Sequence, residues 1–251
     1  MAAAATKYIK NLLASAFFTL QLGITHIIIQ SADINLLVSS DSGYYSDARD
    51  KDEVKSKTMD LKIIKEKTAL VVIDLQKGIV GRPCSPHSAE EVVGNASKLA
   101  EAFRKNQMPV FLVRVTPSTD LKDRLSPIAD QAMAGGGQLL PDWAEIVPQM
   151  GPTESDFLVT KRQWGAFYGT ELDLQMRRRG INTIVLCGIS TSIGVESTAR
   201  FAYEYGYNQV FAEDAMAAGG AAEHHNSVSR IFPRVGLVRS TEEILTALRS
   251  S

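Results

Sequence analysis

Six short runs rich in Val, Ile, Leu or Phe recur through the last three quarters of the chain: Ala69–Asp74, Met108–Val115, Asp156–Thr160, Thr183–Cys187, Gln209–Ala212 and Gly236–Val238. Runs this short and this apolar are what strands buried on both faces look like. Helical patterns alternate with them. Ser88–Lys105 starts on an N-cap serine with Glu90 and Glu91 in its first turn, and Thr170–Arg179 and Ile193–Tyr205 each stop at a glycine, Gly180 and Gly206. Glu223–Ile231 and Thr241–Arg249 complete the set. Strands alternating with helices imply parallel βαβ units. The expected fold is α/β: a three-layer αβα sandwich on a central, mostly parallel six-stranded sheet. Ligands of such sheets sit beyond the carboxyl ends of the strands, so chemistry is sought at Asp74, around Lys161 and just after Cys187.

The amino-terminal part has a different texture. Lys7 and Lys10 precede a mostly apolar run, Leu12–Ile29, in the order of a signal peptide or short membrane anchor. Thr19, Gln21, Thr25 and His26 interrupt it, whereas a bilayer needs about 20 predominantly apolar residues. Gln30-Ser31-Ala32 is only a weak cleavage site. Ser39–Lys57 is polar and charged and reads as a linker. Residues 1–58 are therefore expected to be an extension, disordered or targeting, and residues 59–251 the catalytic domain. Inside that domain Thr116–Ser155 is long and rich in Gly and Pro, as expected of a lid.

Composition narrows the classes. Hydrophobic residues make up 45% of the 251 and charged residues 22%, as in ordinary globular proteins. Twenty-seven Lys and Arg against 28 Asp and Glu give a net charge of -1 with no basic stripe, which argues against a nucleic-acid partner. Two cysteines, Cys84 and Cys187, make no disulfide framework and fit a reducing compartment. The expected location is the cytoplasm, with membrane contact only if the amino-terminal segment is retained.

Three places carry chemistry. Asp74 closes the first strand of the domain, where a carboxyl can serve as acid or base, or simply cap a turn. Lys161 follows the third strand, either tuning that acid and holding an anion or lying solvated at the surface. Trp164, Phe167 and Tyr168 beside it could wall an apolar pocket or belong to the core. After the fourth strand, the helix from about Ile193 points unsatisfied N–H groups at the crevice, a ready site for an anion or oxyanion.

Together these segments resemble a known family. Asp74 in Val-Val-Ile-Asp-Leu-Gln, Lys161 in Thr-Lys-Arg-Gln-Trp-Gly-Ala-Phe, and Gly188-Ile-Ser-Thr followed by Ser-Thr-Ala-Arg and Gly206-Tyr207 are similar to the isochorismatase-like hydrolases, from about Thr68 to Leu248. The nearest likeness is to a bacterial branch with glycine in place of the family's catalytic cysteine. The resemblance implies homodimers or homotetramers, a small-molecule substrate and no cofactor. The family's amidases use an Asp–Lys–Cys triad, whose first two members match Asp74 and Lys161. The third position is Gly194. Ser190 falls in a turn where a cis non-proline peptide is usual. Gln76, Arg114, Trp164, Phe167, Ser190 and Ile193 are the implied substrate-binding positions.

Without a thiol at position 194 no thioester can form there. Isochorismatases also carry glycine at this point, and their vinyl-ether hydrolysis needs an acid rather than a protein nucleophile. Asp74 would be that acid, against the tendency of a neighbouring Lys161 to keep it ionised. Isochorismatases place a glutamine near the end of the second strand, where this chain has Arg114 and Val115. Arg114 instead suits a carboxylate, so the expected substrate is anionic. Nicotinamidases hold a metal through Asp-x-His beyond the second strand; here Thr116-Pro-Ser-Thr-Asp-Leu-Lys has no histidine. His224 and His225 are adjacent and point apart, so no metal is expected and His224 is assigned to structure. Asp214 is read as a turn-forming acid. Two other readings stand beside acid catalysis: a non-catalytic small-molecule binder or scaffold on the same fold, and a cysteine-type amidase using Cys84 or Cys187. Every candidate residue lies beyond position 58. A chain beginning at Met59 is therefore expected to keep the activity and melting temperature of the whole, and a loss of more than ~1–2 kcal/mol of stability would show that Leu12–Ile29 packs on the domain.

Overall fold

The computed structural model describes residues 59–131 and 139–250 in full, together with the backbone of three short strands earlier in the chain. Two compact units divide it, Met1–Thr58 and Met59–Ser251. In the first, β1 (Thr19–Leu22), β2 (Thr25–Ile28) and β3 (Leu37–Ser40) form an antiparallel sheet in that order. The described part of the apolar run carries a strand pair, β1 against β2. Residues 41–58, most of the expected linker, lie outside the described residues, as does the run's first part. Among the described residues no helix is long and apolar enough to cross a membrane.

The second unit is built on β4 (Thr68–Ile73), β5 (Val110–Val115), β6 (Phe157–Lys161), β7 (Thr183–Ile189), β8 (Asn208–Ala217) and β9 (Leu237–Arg239). Their order is β6-β5-β4-β7-β8-β9 and every pairing is parallel. The helices are α1 (Lys77–Val80), α2 (Ala89–Lys105), α3 (Leu172–Arg178), α4 (Glu196–Glu204), α5 (Ala221–Asn226), α6 (Phe232–Val235) and α7 (Thr241–Arg249). Strand alternation sorts the core into two layers. Leu70 and Val72 join Leu99 and Phe103 of α2 and Ile244 and Leu248 of α7. Ala69, Val71 and Ile73 join Leu172 of α3, Ala199 of α4 and Phe232 of α6. Phe232 stacks on Phe211 of β8 with ring centroids 4.1 Å apart. A fully buried side chain of this size contributes about 1.5–3 kcal/mol, and a sheet covered on both faces collects that on both sides.

The expected caps are present. Ser88 opens α2 with a capping box: Glu91 N donates to its Oγ at 3.2 Å, and its own N–H reaches Glu91 Oε2 at 2.7 Å. Ser240 and Glu243 repeat the device on α7. Gly180 and Gly206 follow α3 and α4, and each next residue donates back to the final turn, Ile181 N to Met176 O and Tyr207 N to Ala202 O. Four elements differ from the sequence reading. β7 runs on to Ile189, and β8 runs past Ala212 to Ala217, because Glu213 and Asp214 sit inside the strand although they break its apolar pattern. The helix expected from Ile193 starts with a π-helical turn, Thr191–Val195, and the one expected over Glu223–Ile231 is α5 followed by a second π turn.

From β4 the chain moves outward through β5 to β6, then returns to the other side of β4 with β7. The crevice at such a reversal lies between the carboxyl ends of β4 and β7. The backbones approach closely there. Gly188 has φ +122, and a Cβ on it would fall 2.1 Å from the Ile73 carbonyl oxygen. Gly94, exposed within α2, has nothing within 4 Å of such an atom. Gly188→Ala is expected to cost ~3 kcal/mol or more by forcing β4 and β7 apart, whereas Gly94→Ala should stabilise by about 0.5–1 kcal/mol; urea unfolding of the two variants checks both signs.

Candidate active site

Asp74 is the first residue beyond β4, and its backbone is left-handed at φ 53. Aspartate tolerates that region better than most residues. Its N–H still bonds to Val113 O at 2.9 Å, so the turn is anchored to the neighbouring strand. Lys161, the last residue of β6, reaches across to Asp74 Oδ2 at 2.7 Å and also donates to Gln163 O at 3.1 Å. Both side chains are buried. Asp74 Oδ1 is buried too, and among the described residues it has no hydrogen-bond partner.

Gly194 closes the site from the third direction. A Cβ on it would lie 3.2 Å from Asp74 Oδ2, 2.9 Å from the Ile73 Cγ2 methyl and 3.6 Å from Trp164 O. Asp74, Lys161 and Gly194 are therefore one constellation, packed so closely that a side chain at position 194 would have to displace the Ile73 methyl. Thr198 fastens the parts together: its buried hydroxyl donates to Gly194 O at 2.7 Å and accepts from Ala166 N at 3.1 Å. The turn before Gly194 contains a cis peptide between Ile189 and Ser190. Ser190 Oγ is the second buried polar atom at this end of the sheet with no partner among the described residues.

Electrostatics resolve the conflict between Lys161 and burial. Desolvation raises Asp74 more strongly than the Lys161 charge and hydrogen bond lower it, and its pKa rises from 3.8 to about 6. The aromatic residues expected to wall the crevice part company. Phe167 lies in the core, 5.4 Å from the Tyr205 ring and 5.7 Å from that of Tyr207, while Trp164 is 49% exposed and Tyr168 69% exposed. Asp74 is nonetheless only 5% exposed, with Ile73 and Gly194 packed beside it.

Other assignments change as well. Gln76, expected to touch substrate, spends its amide on backbone: Nε2 donates to Val115 O at 3.0 Å and Trp143 O at 3.2 Å, and Oε1 accepts from Val115 N at 2.8 Å. Two N–H groups of the turn expected to bind an anion, those of Ile193 and Val195, both donate to Ser190 O. Arg114 Nε donates to Thr160 Oγ1 at 3.1 Å, its one hydrogen bond among the described residues, so the rest of its guanidinium is uncommitted. Cys187 is buried within β7 and burial pushes its thiol far up; Cys84, half-buried, is raised by the same cause. Asp214 accepts from both Thr241 N and Thr241 Oγ1 at 2.7 Å, holding the start of α7.

The expected lid is tied down at both ends. Arg162 holds Asp123 at 2.7 Å and Thr116 O at 2.6 Å. Lys77 pairs with Asp142 at 3.0 Å and Glu145 at 2.7 Å, and Gly78 packs under the Trp143 indole. Residues 132–138, including the triple glycine, lie outside the described residues.

One cluster was not anticipated. His87, Glu213 and His224, from a loop, from β8 and from α5, bring one ligand atom each to within 4.8 Å of one another. The expectation of no metal weighed His224 against its neighbour His225; the fold sets it against residues 137 and 11 positions away, a grouping that spacing along the chain does not reveal.

Comparison with known proteins decides the family. The isochorismatase domain model matches residues 68–243, well over half of the chain. The chain belongs to the isochorismatase family. An isochorismatase family protein of Escherichia coli O157:H7, YecD, is 56% identical over 182 residues, 72% of this chain and 96% of that protein. Another from Bacillus subtilis, YwoC, is 52% identical over 185 residues, 73% of this chain and 95% of its own length. A solved isochorismatase family protein from Burkholderia thailandensis superposes with TM-score 0.72 at 42% identity, covering 75% of this chain and 99% of that one. The chain is accordingly a hydrolase on the isochorismatase-like α/β fold.

The raised Asp74 pKa has a consequence for folding. Between about pH 4 and 6 the folded protein keeps a proton that the unfolded chain releases. The associated stability is complete below 3.8 and is lost as the pH rises through about 6. The unfolding free energy of wild type relative to Asp74→Asn should fall across that window by on the order of 2–3 kcal/mol. A flat difference would show that Asp74 titrates as an ordinary carboxyl.

Proposed function

We propose that this isochorismatase-family hydrolase cleaves a small anionic vinyl ether by acid catalysis from Asp74. One observation carries the reading: a carboxyl with a pKa of about 6 keeps one oxygen, Oδ1, buried and unpartnered among the described residues while Lys161 holds the other. Oδ1 is then the atom that bears the transferable proton. Lys161 on Oδ2 stabilises the carboxylate left after transfer without having to leave. A pKa near 6 leaves about a tenth of the free enzyme protonated at pH 7, enough for a general acid at neutral pH.

In this reaction the proton moves from Asp74 Oδ1 to the terminal methylene of the enol ether, which becomes a methyl group. The ether oxygen stabilises the cationic carbon that results. Water adds to that carbon and returns its proton to Asp74. The hemiketal then collapses to an alcohol and a 2-oxo acid. No bond forms to the protein, in keeping with glycine at position 194. Arg114, with donors to spare at the end of β5, is the anchor for the substrate carboxylate.

Purified protein incubated with anionic enol ethers, isochorismate first, should release a 2-oxo acid, and Asp74→Asn should reduce kcat about 10²–10⁴-fold. The ratio kcat/KM should fall about tenfold per pH unit above about 6, following the protonated fraction. Iodoacetamide should leave the rate unchanged. Amide turnover lost rapidly on alkylation and protected by substrate would replace this reading with a cysteine mechanism.

A further inference from the structure

We propose that His87, Glu213 and His224 form a binding site for one divalent transition cation of the zinc type. Two imidazoles and one carboxylate are a borderline donor set, the kind that holds such a cation with a position left open. His87 makes a long hydrogen bond to Glu213, and the same distances also suit coordination. His87 Nε2 lies 3.4 Å from Glu213 Oε1 and His224 Nε2 lies 3.6 Å from the same oxygen. An N–H···O hydrogen bond would draw each pair to about 2.9 Å. Donor atoms sharing a tetrahedral ion at bond lengths near 2.0–2.1 Å stand about 3.3 Å apart. The third separation is within 4.8 Å, so a small rotation of the more exposed His87 completes the set.

A second observation points the same way. His224 is only 3% exposed, and its Nε2, aimed at Glu213, is a buried nitrogen with no hydrogen-bond partner among the described residues. Its other nitrogen, Nδ1, sits 2.9 Å from Thr191 Oγ1. If Nδ1 carries the proton and donates to that hydroxyl, Nε2 presents a lone pair to the cluster, the tautomer that a ligating histidine requires.

Each contributor is held independently. The His87 loop is stitched to the end of the Glu213 strand, since Ser85 and Ala218 exchange both backbone hydrogen bonds at 2.9 Å. Helix α5, which carries His224, is tied to the β7 turn by Ser192 Oγ donating to Glu223 Oε2 at 3.0 Å. The side chains of His87 and Glu213 are 28% and 35% exposed, which gives the ion a way in and a solvent-facing position for water.

The test is metal binding by the full chain, read without reference to activity. Calorimetric titration with zinc chloride should show one saturable equivalent, and cobalt chloride should give the visible absorption of a four- or five-coordinate ion. His87→Ala and Glu213→Gln, both at partly exposed positions, should weaken zinc at least about tenfold, with metal-free melting curves confirming that they fold. His225→Ala, at the exposed neighbour, should leave affinity within about twofold. Absence of a saturable equivalent up to about 0.1 mM zinc would overturn the proposal, as would zinc affinity undiminished in the His87 and Glu213 variants.

Discussion

Burying the Asp74–Lys161 ion pair is the constraint on which this fold turns. Two opposite charges removed from water cost more than their attraction returns unless geometry and extra hydrogen bonds compensate. Among the described residues the lysine has two acceptors, whereas the aspartate side chain has one donor and one bare oxygen. Burial therefore draws the acid part of the way toward its neutral form, to a pKa of about 6, while Lys161 keeps it mostly ionised at pH 7. Sustaining it requires the carboxyl end of β4 to be sealed by a neighbour with no side chain of its own. Gly188 lets β7 run against β4, and Gly194 then lays its turn over the carboxylate. Strand order, the two glycines and the raised pKa are aspects of one arrangement.

Much of the scaffold was legible in the chain because its strands are buried on both faces and carry an unbroken apolar signal, as Ala69–Ile73 and Thr183–Cys187 do. β8 was read short for the same reason: Glu213 and Asp214 interrupt the apolar run, yet each is occupied, one facing two histidines and the other holding α7. Asp74 and Lys161 were found because both lie where strands end at the crevice. Their surroundings were not legible. Whether Phe167 faced the crevice or the core depended on which way its loop turned, and that is set by Thr198, a residue without an obvious chemical role in sequence. Gln76 looked like a contact for substrate, whereas its amide is consumed in joining β5 to the segment around Trp143.

Glycine at position 194 is closely fitted to its surroundings. A side chain there would press on the Ile73 methyl at 2.9 Å, and Ile73 is a fully buried core residue of the central strand. Which residue can stand at position 194 is thus tied to core packing, where shifts of a few tenths of an ångström are felt.

The Thr198 hydroxyl also bears on how the site can move. It grips the Lys161 loop through Ala166 on one side and the glycine turn on the other, and it belongs to α4. A fluctuation that exposes Asp74 by displacing the loop alone must break a buried hydrogen bond. One that carries loop, turn and helix together breaks neither. Slow, collective breathing of that block is therefore favoured over rapid flutter of its loop, and entry to the crevice belongs to the microsecond-to-millisecond regime of moving secondary structure.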